Sequence, residues 1–419
     1  MSLKEIKVHI ADLEPGMYVC RLDRPWEETP YLLQGFHIKS ENEIERLLEF
    51  CEYVFIDVAL SKINEKVLPF PTNSNTHDNT SNVYSSNVEK LALTNVKPIN
   101  YKDKTSREEE LATATDSHIL LSHTIENFML DIANNKKLEL PALRNAINPM
   151  VDSIIRNPDA FAWLTRIKNK DNYTYNHSVS ASVWAVAFGR HLGLPKKDLQ
   201  SLAIGAMLFD VGKVKLPEKL INNKKRFNQY EFKLVKKHVD YSLDIVREIK
   251  GINDDIINMV HTHHERYNGS GYPNGLAGNQ IPLFGKIAGI VDCYDAIISE
   301  RPFASAISPH DAVKKLYEWR NLDFQAELVE QFIQVVGIYP VGTIVELSDG
   351  RVGIIISQNR VWRLRPQVMT LLNENKEPLI DFETINLFTE TVDYSGNSLD
   401  ILRSIEPGLY GIDPEEFYL

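Results

Sequence analysis

Cysteine is scarce in this chain: Cys20, Cys51 and Cys293 are the whole complement of 419 residues. They are odd in number and far apart, so neither a disulfide framework nor a thiolate zinc motif can be assembled from them. That usage fits a reducing, cytoplasmic setting. Long apolar runs are missing too. No stretch of about 18 apolar residues occurs, and the opening MSLKEIKVHI has no apolar signal core, so neither a membrane span nor a membrane partner is expected. The pattern GxxxxGK[ST] is absent, which excludes a nucleotide P-loop. No basic patch stands out in a chain of net charge −11, so duplex nucleic acid is a poor partner. A small anionic ligand is still admissible, because a metal ion can supply local positive charge.

The composition that remains, 43% hydrophobic and 25% charged, is that of a globular protein, and the length predicts two or three domains. Residues 1–65 read as a small α+β domain. KVHIADLEPGMYVCRL suggests two strands around Glu14-Pro15-Gly16, SENEIERLLEFC a capped helix, and EYVFIDV a short strand. Residues 66–111, with PFPTNSNTHDNTSNVYSSN, are poor in large apolar groups and read as a flexible linker. Helix dominates residues 112–336. Residues 337–419 begin with a β-hairpin around Asp349-Gly350 and end in a weakly patterned acidic tail, where nine acids between Asp381 and Leu419 face the single base Arg403. The fold class is therefore mainly α: a helical bundle preceded by a small α+β domain and followed by a short β-rich extension.

The helical block places polar residues on apolar stripes. His177 falls in line with Ala181, Trp184 and Phe188; Asp210 with Leu199, Leu202 and Ala206; His238 with Ser242, Ile245 and Ile249. His263 and His264 follow Val260 by one turn and Ile256 by two, and Asp292 shares a small-residue face with Ala288. An ionised carboxylate facing a core costs several kcal/mol unless it is paired or bound to metal. One buried histidine alone has an ordinary structural reading. Four histidines and two aspartates with the same habit on five helices point to one metal site instead. Nitrogen and oxygen donors without sulfur suit Fe, Mn, Ni or Zn, as one or two ions.

The order of these residues carries a resemblance. His177-Ser178, DVGKVKLPEKLI, His238, HHERYNGSGYPNGLAGNQIP and IVDCYDAI together resemble the HD-GYP domain, a bacterial signalling branch of the HD metal-dependent phosphohydrolases. The first 65 residues are similar to the small domain often found ahead of it. The resemblance implies an all-α HD-type fold and a dinuclear centre that hydrolyses cyclic di-GMP to linear pGpG or GMP. It implies that Asp210 bridges two ions, with His238, His263 and His264 on one and His177, Asp292 and an HD-pair histidine on the other. It assigns Asp210 and Lys213 to catalysis, and Lys213, Gly271, Tyr272, Pro273 and Arg301 to the substrate.

The sequence departs from that pattern at the HD pair itself, which is Phe209-Asp210. A phenyl ring donates nothing to a metal, so weakened binding and slow hydrolysis are expected. Ala304 stands where relatives often carry a lysine, and Tyr173, four residues before His177, is not the glutamate of a three-metal site. Glu265 is expected to support a ligating histidine. Two other readings remain open: an inactive module that holds cyclic di-GMP or docks a diguanylate cyclase or other regulator through the Gly-Tyr-Pro loop, and a hydrolase for another cyclic dinucleotide or phosphoester.

Overall fold

The computed structural model describes residues 5–23, 36–38, 41–48, 50–57, 61, 98–134, 136, 138–165, 173–221, 223, 225–301, 306–359, 364–406 and 408–412. Residues 66–97 of the expected linker and Ala304 lie outside them. Two compact units emerge, Met1–Val83 and Tyr84–Leu419.

In the first unit, strands β1 (Glu5–His9), β2 (Tyr18–Leu22), β3 (Phe36–His37) and β4 (Tyr53–Asp57) form an antiparallel sheet of order β1-β4-β2-β3. Gly16 takes φ 100° in the turn between β1 and β2, a conformation a side chain would strain. The two strands do not pair with each other; the later strand β4 inserts between them. Helix α1 (Glu41–Leu48) contributes Leu47 to a small core with Val8, Val19, Val54 and Ile56.

The second unit is mostly helical. Helix α2 (Arg107–Ala133) starts at a capping box, with Ser106 accepting from the Glu109 N–H and Glu109 accepting in return. Helices α3 (Leu140–Arg156), α4 (Pro158–Leu164), α5 (Tyr173–His191) and α6 (Lys196–Leu208) follow. After α6 the chain tightens into a 3-10 turn, Val211–Lys215. Then come α7 (Glu218–Ile221), α8 (Gln229–Lys236), α9 (His238–Arg247), α10 (Asp254–Thr262), α11 (Leu283–Ile297), α12 (Pro309–Glu318) and α13 (Ala326–Val336). Helices α5, α6 and α11 are apolar on most sides, as central helices must be, and share one core with α2, α3 and α10.

Beyond α13 the chain forms an antiparallel sheet from β5 (Ile344–Leu347), β6 (Val352–Ser357), β7 (Gln367–Leu372), β8 (Thr384–Asn386) and β9 (Ile401–Ile405), in the order β8-β7-β6-β5-β9. The expected hairpin at Asp349-Gly350 joins β5 to β6. The acidic tail is more structured than its pattern suggests, since it supplies β8 and the edge strand β9. Its patterning is weak because β9 is half-exposed, with Leu402 64% open to solvent. Trp163 of α4 enters this sheet's core beside Ile344, Val352 and Leu371, and Asp159 accepts from the Ser357 hydroxyl, so the sheet is docked on the bundle. Among the described residues no helix is long and apolar enough to cross a membrane.

Candidate metal centre

Glycine permits the close approaches that assemble the centre. A Cβ on Gly212 would lie 2.2 Å from the His238 carbonyl oxygen, so only glycine lets the turn after Asp210 rest on the start of α9. The Gly212 N–H donates to the Ser242 hydroxyl at 2.8 Å and fixes that contact. On α11, Gly285 meets the Thr262 side chain, and a Cβ on Gly289 would reach 3.1 Å from the His263 carbonyl oxygen, so the end of α10 packs tightly against α11.

These contacts bring together the residues singled out from sequence. One atom each from Asp210, His238, His263 and His264 falls within 4.8 Å of the others, and His177, Asp210 and Asp292 form a second such group. Asp210 belongs to both. It lies between the end of α6 and the 3-10 turn and is 1% exposed.

Each imidazole is aimed by a partner behind it. His238 Nδ1 donates to the Val235 carbonyl at 2.7 Å, and His263 Nδ1 to the Val260 carbonyl at 2.7 Å. In the neutral rings this leaves the Nε2 lone pairs directed at Asp210 Oδ1, 3.2 Å and 3.9 Å away. That oxygen is buried and has no hydrogen-bond partner among the described residues. A carboxylate oxygen facing two lone pairs requires a cation or a proton between them. Burial depresses the His263 pKa to about 4 and pushes His264 well below the ordinary value, which favours the cation. The donor set and the orphaned oxygen therefore fit a divalent metal.

His177 is arranged differently. Its Nδ1 meets Asp295 Oδ2 at 2.7 Å, and its Nε2 faces Asp292 Oδ1 at 3.1 Å and Asp210 Oδ2 at 3.5 Å. Burial opposes its charge, but the hydrogen bonds to Asp292 and Asp295 outweigh that and hold its pKa at about 9. Asp295 was not singled out from the sequence; the available signal was its place one helical turn after Asp292. Burial works against ionised Asp210, yet Lys213 and His238 draw its pKa well below the usual carboxylate range. Lys213 pairs directly with Asp210 Oδ2.

Phe209 is fully buried. Its ring stacks on His263 with centroids 4.8 Å apart and planes 14° apart, and lies 5.8 Å from the His177 ring. It fills the wall between the two ligand groups without offering a donor.

The glycine-rich loop covers the His264 side. Tyr272 lies over the His264 ring at 4.7 Å, and its N–H donates to the His264 carbonyl. The Tyr272–Pro273 peptide is cis. Gly269 and Gly275 have φ of 80° and 66°, but Gly271 does not need a positive φ. Its role is close approach, since a Cβ there would stand 2.3 Å from the Arg266 nitrogen. The expectation for Glu265 fails: its carboxylate accepts from the Asn274 N–H at 2.8 Å and the Leu276 N–H at 2.9 Å, and so latches the loop rather than a histidine. His261, first of the clustered histidines, stays outside both ligand groups and sits 3.4 Å from the Asn274 side chain. Arg301 is half-buried just beyond α11.

Comparison with known proteins agrees with this architecture. Residues 164–328 match the HD domain family, and residues 5–142 match a domain of unknown function, DUF3391. The chain is 26% identical over 388 residues to "Cyclic di-GMP phosphodiesterase PA4108" of Pseudomonas aeruginosa, covering 91% of this chain and 88% of that protein. It is also 26% identical over 190 residues to "3'3'-cGAMP-specific phosphodiesterase 2" of Vibrio cholerae, covering 45% of this chain and 36% of that one. Bd1817, an HDG"Y"P protein from Bdellovibrio bacteriovorus with a solved structure, matches at 19% identity and a TM-score of 0.43, covering 78% of this chain and 98% of that one.

Proposed function

We propose that the chain, whose residues 164–328 match the HD domain family, is a metal-dependent phosphodiesterase of the HD-GYP kind that opens cyclic di-GMP. The observation that carries the reading is the pair of ligand groups sharing Asp210, with its buried oxygen left for a cation. The relative that spans nine-tenths of the chain is named for this substrate, which favours it over other cyclic dinucleotides.

His238, His263, His264 and Asp210 would hold one divalent ion; His177, Asp210 and Asp292 would hold a second. Such a pair supplies an acidified water and neutralises charge gathering on the phosphate. The protein's own part is positioning. Val235, Val260 and Asp295 fix which imidazole nitrogen faces inward. Lys213, a quarter exposed beside Asp210, and Arg301 would meet phosphate oxygens. Tyr272 presents its ring over His264 to the incoming nucleotide. Phe209 leaves the second ion one donor short, so turnover is slow.

The test is a hydrolysis assay on cyclic di-GMP with added Mn or Fe, beside Phe209→His. Formation of pGpG or GMP, faster in the variant, supports the reading. Tight binding with no product in either protein overturns it in favour of a binding module.

A further inference from the structure

The stretch joining Asp210 to His238 is an exception to the chain's acidity, and reading the chain without any basic patch overlooked it. Residues 213–237 carry nine lysines and arginines against Glu218 and Glu231, in a chain of net charge −11. Helix α8 lies in this stretch and buries none of its residues. Phe232 is 44% exposed, which no core requirement explains.

Phe232 and Lys236 stand one turn apart on α8. The Lys236 Nζ lies 4.8 Å from the Phe232 ring centre and 4.6 Å from that of Tyr272. The two rings meet edge to face at 6.3 Å and 82°. Lys236 is held by aromatic faces and by no carboxylate among the described residues, whereas Lys213 is already paired with Asp210. The metal centre opens toward this group. His264 and Asp292 side chains are 15% and 11% exposed, while Asp210, His177, His238 and His263 are at most 2%. Tyr272 links that edge to Lys236.

We propose that Lys236 and Phe232 form a second receiving point for the dinucleotide. Lys236 takes the phosphate that is not being cleaved, and Phe232 with Tyr272 takes the face of a guanine. A cyclic dinucleotide carries two phosphates and two bases, so a single metal centre engages only half of it. An unpaired ammonium beside a solvent-facing ring supplies the charge and the stacking surface the other half needs. This inference rests on the substrate reading above.

Calorimetric titration and steady-state kinetics on the full, metal-loaded chain test it. Lys236→Ala and Phe232→Ala are each expected to weaken cyclic di-GMP binding and raise KM about tenfold, with kcat changing less than about twofold. Lys236→Arg and Phe232→Tyr should restore most of the loss. Lys250→Ala, in the exposed turn after α9, should bind as wild type does, and metal content and thermal midpoint should stay unchanged throughout. Wild-type affinity in both alanine variants overturns the subsite while leaving the enzyme reading intact. Wild-type protein that hydrolyses bis(p-nitrophenyl) phosphate but neither binds nor opens cyclic di-GMP refutes the substrate reading, and the subsite with it.

Discussion

Phe209→His should add the donor that the proposed second ion lacks, and its effects can be worked out from the contacts of the ring. Phe209 is fully buried, stacked on His263 and near His177. Replacing it removes about 1.5–3 kcal/mol of apolar burial. Without metal, the new imidazole is a buried polar ring without an assured partner, which costs a further ~1–3 kcal/mol. In chelator the variant should therefore melt roughly 5–12 °C below wild type, at about 2 °C per kcal/mol for a unit of this size. Metal reverses the sign. An added ion at a hundred times its dissociation constant stabilises the folded chain by about 2.7 kcal/mol. The variant should thus recover more on adding Mn than wild type does. Calorimetry in chelator and in Mn, with metal counting by mass spectrometry, reads both effects. Turnover of cyclic di-GMP should rise at least about tenfold, equivalent to ~1.4 kcal/mol of barrier. Two ions per wild-type chain, with equal turnover in the two proteins, would refute the reasoning, because Phe209 would then withhold nothing.

Asp295→Ala should remove the partner that orients His177 and weaken metal affinity by about 10–100-fold in a chelator competition, with secondary structure intact. Glu265→Ala leaves the Asn274 and Leu276 N–H groups without their acceptor, so amide exchange in residues 269–278 should quicken while bound metal stays the same. Gly271→Ala forces a methyl against the Arg266 nitrogen, so the loop must shift, and KM should rise well before metal is lost. Glu110 supplies the pH test. Burial works to raise its pKa, but hydrogen bonds from Arg156 and Thr105 overcome this and hold it below the usual 4.5. The stability it contributes is present above that value and is lost as pH falls through the depressed pKa. Wild type should lose stability to acid there, and Glu110→Gln should show a flatter decline in that window, read from thermal midpoints against pH.

The clustered residues were legible because a polar group on an apolar helical stripe is costly, and six of them sharing that habit on five helices has few explanations. The domain types were legible for the same reason: period-3.6 stripes in the middle and turn-flanked apolar runs at both ends. Other features leave little trace in a sequence. Strand β4 inserting between β1 and β2 is a matter of topology that local turn chemistry does not encode. Edge strand β9 is half-exposed and so lacks the alternation that marks a strand. Glu265 was misread because adjacency to two ligating histidines says nothing of where a carboxylate points; in the fold it points into the loop. The basic stretch 213–237 was visible throughout but diluted by the acids elsewhere.

The different support given to each histidine follows from where it sits on its helix. The last four carbonyls of a helix have no donor from within it. Val235 falls in the last turn of α8 and Val260 in the last turn of α10, so His238 and His263 each reach a helix-end carbonyl with room for another donor and fix their own tautomer with one hydrogen bond. His177 lies inside α5, where carbonyls are already engaged, and must borrow a carboxylate from α11. That makes the two halves of the centre unequal. The His238 half is three imidazoles around one shared carboxylate, while the His177 half has Asp210 and Asp292 in front of the ring and Asp295 behind it. The histidine missing from the HD pair would have been a neutral donor to this second half. Its absence removes a coordination position and no charge, so the His177 half keeps its attraction for a cation and loses grip on it. Slow turnover with retained metal preference, rather than a dead centre, is what the proposed arrangement predicts.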